Sequence, residues 1–337
     1  MEELKSSRES EICIKYFHNF PLTQGFGRVE MSSRKKKQHY IPGKYINSWR
    51  DNGRLFALNL EDLRPFSPTG KNTIGAEEGF YSFDFDETVI NLLKYTFAER
   101  ACQGEPGNVY VSMLAYIERM KTEEFLHKEF NLLENFYEKI EGRINEALDL
   151  VLKGQFKKND SENFVFENLT AFFCLQLMRT KKARDVFSEW LCEIHADQEK
   201  LNEKQKADYL KMNLLIQSLA MLAKIFELGA VIRLSYVNSG EKFILSDVPV
   251  ILTKHPIRDH RDISGFIPLG PDLLMTLDNI GAGKNRILIG GLDNSAARLI
   301  NMFMIEHANR MVCFSSEYQR QNYVSRLRLS RMGCKFF

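Results

Sequence analysis

No apolar run in this 337-residue chain approaches the roughly 18 to 20 residues that a membrane-spanning helix requires, and the N-terminus lacks the apolar core of a secretory leader. A cytoplasmic location is therefore expected. The six cysteines, at positions 13, 102, 174, 192, 313 and 334, form no CxxC pair and no zinc-site spacing, so reduced thiols are expected. Neither a GxSxG nor an HExxH motif occurs, nor any nucleotide-binding fingerprint, which removes the common hydrolase, metalloprotease and dinucleotide signatures. Gly281–Lys284 has a phosphate-loop look but not the GxxxxGK[ST] spacing, and reads as a loop. Internal repeats are absent too. Net charge is only +2, with 44% hydrophobic and 27% charged residues, the composition of an ordinary globular chain with a substantial core.

The small net charge hides an uneven distribution. Residues 31–54 carry seven basic residues against one acidic, and residues 310–337 carry six against one. Residues 55–110 compensate with nine acidic against four basic. If the two basic stretches meet in space they form a phosphate-binding surface; otherwise they are solvated ends.

Residues 1–30 show no sustained period and are expected to be an appendage dispensable for the fold, with residues 31–337 forming a single α+β domain. Asn52-Gly53 is a two-residue turn signal leading into a strand. From about residue 87 to 228 the apolar spacing is helical, with candidate helices at 87–101, 109–118, 123–153, 161–197 with a break, and 203–228. Strand periodicity returns after Gly229: 230–237 and 242–252 are expected to pair as a hairpin through Ser239-Gly240. The expected architecture is a large central helical region packed on a small, mainly antiparallel sheet built from both ends of the domain.

Phe243–Leu252 is the segment that calls for partners from elsewhere. Its apolar residues suit a strand covered on both faces, yet Ser246 and Asp247 interrupt it and Pro249 lacks a backbone donor. A buried carboxylate left unpaired is costly, so another segment must satisfy Asp247. Arg179 is a natural partner, since it shares a helical face with Gln176 within an otherwise apolar stretch. That pair has two readings, an anion anchor or a structural clamp. His39 follows the basic run and stands shortly before Pro42, an extended setting that aims an imidazole for general acid–base work, or else for capping a helix or meeting a carbonyl.

Several of these pieces, in order, resemble the bacterial family known as domain of unknown function 4238. They are Lys-Gln-His39-Tyr40-Ile-Pro42, Ala-Glu-Glu-Gly-Phe-Tyr81, and Leu169–Arg184 with Gln176 and Arg179. They continue with Phe243-Ile-Leu-Ser246-Asp247-Val-Pro249-Val, Ile267-Pro-Leu-Gly-Pro, Asn301, and 308–315. The resemblance covers about residues 36–316 and implies a shared site but no reaction. The residue between Asp247 and Pro249 is often Asn in the family and is Val248 here, which makes the site less polar.

The combined expectation is that His39, Arg179, Asp247 and Asn301 converge as catalytic residues, with Lys36, Lys37, Tyr40, Gln176 and Ser246 as binding residues beside them. His39 would serve as acid or base, Arg179 would stabilise phosphorane charge, and Asp247 would orient the imidazole or a divalent metal. Further carboxylates for a metal would come from Glu77, Glu78, Asp84 and Asp86, or a metal from His255 and His260, although no spacing among them marks a metal site. The leading function is a bacterial effector acting on nucleic acid, a nuclease in a defence or toxin setting. The alternatives are a non-catalytic module that binds a small anionic ligand or partner protein, and a purely structural cluster.

Overall fold

The computed structural model describes residues 37–68, 74–80, 83, 86–102, 132–157, 161–194, 201–237, 240–253, 263–278 and 285–331. The expected appendage at 1–30, Lys36, Asp84, the candidate helix at 109–118, His255, His260 and the loop Gly281–Lys284 lie outside the described residues.

A helical mass does occupy the middle of the chain. It comprises α1 (Gly43–Asn47), α2 (Glu87–Cys102), α3 (Leu132–Leu152), α4 (Ser161–Met178), α5 (Lys181–Ile194) and α6 (Glu203–Leu228), with α1 set apart at its N-terminal side. Along α3 the buried residues Ile140, Ile144, Ala147, Leu148 and Val151 recur at helical spacing, the mark of one core-facing stripe. By contrast α4 is buried almost all round from Val165 to Gln176, so it forms the centre of the mass. The break expected within 161–197 falls at Thr180, whose hydroxyl accepts from Ala183 N–H at 3.1 Å and starts α5. A capping box between Asn202 and Gln205 opens α6, and Gly229 at φ 76° closes it.

The fold is α+β as expected, but the described strands are divided among three sheets. One is the expected antiparallel sheet from both ends of the domain, ordered β3 (Pro65–Phe66), β2 (Phe56–Asn59), β11 (Met311–Phe314), β6 (Leu245–Ser246). The second is ordered β10 (Arg286–Leu292), β5 (Val231–Val237), β9 (Leu273–Asp278), β8 (Ser264–Gly270), β7 (Ile251–Leu252), and only its β10–β5 pair is parallel. The third is a ribbon of β1 (Lys37–His39) against β4 (Ala76–Glu78).

The expected hairpin between 230–237 and 242–252 does not form. β5 is paired by β9 on one side and β10 on the other, so no edge is left for the returning chain. The segment itself splits at Asp247–Pro249: β6 joins one sheet and β7 the other. The split follows from local chemistry. Ser246 Oγ donates to Val248 O at 2.6 Å and accepts from Val248 N at 3.1 Å, closing a tight turn, and Pro249 has no N–H to continue a ladder. The residues that interrupt the apolar pattern are thus where the chain changes sheets.

Aromatic contacts join the layers. Tyr45 on α1 packs edge-on to Phe172 of α4 at 5.1 Å and donates from its hydroxyl to Pro268 O of β8 at 2.5 Å. Trp49 donates to Phe243 O at 3.0 Å. The C-terminal helices α7 (Asn294–His307) and α8 (Glu317–Arg331) complete a second core with Leu58, Phe243, Val312 and Phe314 of the strand region.

Candidate functional site

The backbone of His39 and Tyr40 is held from two sides. On one, Tyr40 N and Ile41 N donate to Gly75 O at 2.6 and 3.2 Å. Gly75 has φ 59°, and a Cβ there would stand 2.6 Å from the Ile41 side chain, so only glycine lets the chain come this close. On the other, Gln176 Nε2 donates to Tyr40 O at 2.9 Å and Arg179 Nη2 to His39 O at 2.6 Å. Helix α4 therefore grips this segment by its carbonyls.

Arg179 does not pair with Asp247. Its guanidinium meets Glu141 Oε1 of α3 at 2.5 Å and lies 4.3 Å from the centre of the Tyr137 ring. Burial pushes the Tyr137 phenol up to about 12. The clamp reading fits this geometry, with Glu141 in the place expected for Asp247. The cause is location: Arg179 directly follows α4, at the end that lies beside Glu141 of α3.

Asp247 is instead satisfied by main chain. Its two carboxylate oxygens accept from Asn309 N and Arg310 N, each at 2.8 Å, which fastens the turn after β6 to the loop between α7 and β11. Burial still lifts its carboxyl above the ordinary range, against the pull of those N–H donors. A raised folded-state pKa means that ionising Asp247 costs stability: its contribution is intact below the ordinary aspartate range and is lost as pH rises through the raised value. Relative to Asp247→Asn, which cannot ionise, the wild type is expected to gain stability as pH falls from neutral into the acid range. Urea unfolding of both proteins across that range measures it; a constant difference would contradict the burial effect.

Asn301 does not converge with these residues either. It is fully buried on α7 and its amide is used up locally. Oδ1 accepts from Ile244 N at 3.0 Å, while Nδ2 donates to Lys242 O at 2.8 Å, Tyr323 Oη at 3.0 Å and Glu241 Oε1 at 3.2 Å. Gln176 is buried, with Oε1 lacking a partner, and Ser246 is spent on its turn. Lys37 opens β1, with its side chain outside the described residues.

A different cluster forms around Tyr40. Its ring stacks on Phe80 with centroids 5.0 Å apart, and the Arg184 guanidinium lies 3.7 Å from the centre of that same Phe80 ring. Arg184 Nη2 meets Glu77 Oε2 of β4 at 2.9 Å, while its Nε is buried without a partner. Burial first, then the charges of Asp247 and Glu77, push the Tyr40 phenol up to about 12 against the opposing pull of Arg184 and Arg310. The phenol is thus neutral at physiological pH, and among the described residues its hydroxyl has no hydrogen-bond partner. Lys182 of α5 donates to His307 O at 2.8 Å, which holds the start of α5 beside the 308–310 loop.

Asp208 and Lys211 of α6 stand close by as an ion pair at 3.5 Å. Burial raises the Asp208 carboxyl and lowers the Lys211 amine, outweighing their mutual attraction. Among the described residues no group of three or more His, Cys, Asp or Glu could hold a metal ion.

The sequence points to Tyr40 as a binding residue and to Glu77 as a metal ligand, and it singles out neither Arg184 nor Arg310 for this cluster. Arg184 closes the motif 169–184, four residues after a Thr that caps a helix; that was its only sequence signal.

A family model described as protein of unknown function (DUF4238) matches residues 37–318. No curated protein and no solved structure matches the chain.

Proposed function

Since the chain belongs to the DUF4238 family of proteins of unknown function, a membership that brings no reaction with it, we propose that it recognises nucleic acid through phosphate contacts at the Tyr40 cluster. One observation carries the reading. Tyr40, three residues past Lys37, shares the Phe80 ring with Arg184, and Arg310, the first residue of the C-terminal basic stretch, lies near enough to oppose, with Arg184, the upward shift of the Tyr40 phenol. Two guanidinium groups thus stand near a neutral hydroxyl donor, one of them 3.7 Å from the centre of the Phe80 ring. Guanidinium groups beside a hydroxyl donor suit the phosphate oxygens of a nucleic-acid backbone. The setting proposed is the bacterial cytoplasm, as an effector in defence or toxin action.

The original catalytic set contracts under this reading. Arg179 and Asn301 act as clamps and Asp247 as a loop fastener, which leaves His39 as the general acid–base candidate.

Fluorescence anisotropy with labelled single-stranded RNA and DNA is the direct test. Binding that weakens steeply with salt, and at least about tenfold on Arg184→Ala, is expected. Absence of binding by the wild type would end the proposal. The same oligonucleotides incubated with Mg²⁺ or Mn²⁺ test cleavage. In a nuclease, His39→Ala should bind normally and lose about 10² to 10⁴ in rate. Binding without cleavage would assign the protein to the non-catalytic class.

A further inference from the structure

We infer that the Nε–Nη2 edge of Arg184 is a phosphoryl-oxygen site, and that Glu77 occupies it in the absence of ligand and sets the threshold for entry. The inference rests on the reading of the Tyr40 cluster as a nucleic-acid site and adds to it the atoms that bind and the residue that competes.

The argument starts from incomplete pairing. Nε and Nη2 form one edge of the guanidinium fork, built to receive two oxygens of one oxyanion. Glu77 supplies an oxygen to Nη2 at 2.9 Å and leaves Nε buried and unpartnered. A buried N–H without a partner is uncommon in folded proteins and calls for an explanation. The Arg184 side chain is only 17% exposed and packs on the Phe80 ring, whereas that of Glu77 is 41% exposed in the middle of β4, on a ribbon of only two strands. Of the two partners, the carboxylate is the one that can leave. A phosphoryl group taking its place would satisfy both nitrogens. The exchange is of one anion for another, so a weakly held monoanion gains little, while a group that bridges both nitrogens is favoured. Glu77 is then a specificity device that works by competition.

Two measurements test it. Glu77→Gln keeps the shape and removes the competing charge, so 5′-fluorescein-labelled single-stranded RNA is expected to bind about two- to fivefold tighter than to wild type. Equal or weaker binding by Glu77→Gln, with wild-type binding present and lost in Arg184→Ala, would overturn the role of Glu77 and leave the nucleic-acid reading standing. No binding by either protein would remove both. The second measurement uses the wild type alone: titrating inorganic phosphate into ¹⁵N-arginine-labelled protein should shift the Nε–H resonance that Arg184→Lys deletes. A resonance that stays in place up to saturating phosphate would overturn the site.

Discussion

Arg179→Ala is expected to destabilise the protein by about 3 kcal/mol, the lower end of the range for breaking a buried ion pair. Three contacts are lost together: the 2.5 Å pair with Glu141, the donation to His39 O at 2.6 Å, and the guanidinium against the Tyr137 ring. The Glu141 side chain is 21% exposed and recovers some hydration when stranded, which keeps the cost from the upper end. A loss of this size is a large share of the net stability of an ordinary domain. Arg179→Lys should recover only part of it, since a single ammonium cannot span Glu141 and the His39 carbonyl in fork geometry. Urea midpoints for the three proteins decide the matter. Alanine at 179 with an unchanged midpoint would show that the clamp contributes nothing, and would return Arg179 to the list of chemical candidates.

The burial of Arg179 was legible in the sequence because the face it shares with Gln176 is otherwise apolar. Its partner was not. Choosing Glu141 over Asp247 depends on which helix packs beside the end of α4, and several carboxylates along the chain fit the same charge rule. Asp247 shows a complementary limit. The cost of burying it predicted that something must satisfy it, but the donors are the main-chain N–H groups of Asn309 and Arg310, and backbone donors leave no side-chain signature. The helical middle and the sheet from both ends were readable from period alone, since burial imposes period. The 230–252 hairpin failed because turn chemistry reports where a chain bends, not which strand waits on the other side. Ser246 and Pro249 were correctly singled out as anomalies; the anomaly marks a change of sheet.

The second large effect is expected at Asn301. Replacing it with Ala strands the buried Ile244 N–H, weakens the hold on Lys242 O, which keeps only Gln319, and leaves a small void, for about 3 kcal/mol in all. Asn301→Asp should be worse at neutral pH although its shape is the same. The position of Nδ2 is 2.8 Å from the Lys242 carbonyl oxygen and 3.2 Å from Glu241 Oε1, so an oxygen there turns two attractions into repulsions inside a buried pocket. Only the Tyr323 hydroxyl, now at 3.0 Å, has a proton to offer, and it already donates to Glu241 at 2.8 Å. The introduced carboxyl would therefore have a folded pKa above its unfolded value, and its penalty should shrink as pH falls through the raised value towards the ordinary aspartate range, where a protonated oxygen can again donate to Lys242 O. Thermal melts of wild type, Asn301→Ala and Asn301→Asp at neutral and acid pH give the pattern: a steady deficit for Ala and a deficit for Asp that narrows on acidification. An Asp variant as stable as wild type at neutral pH would mean that the amide network around Glu241 and Tyr323 does not hold α7 to the strand region. The folded fraction of Asn301→Ala should still bind RNA with wild-type affinity, because nothing in this network touches Tyr40 or Arg184; a selective loss of binding in a well-folded variant would place Asn301 back in the functional site.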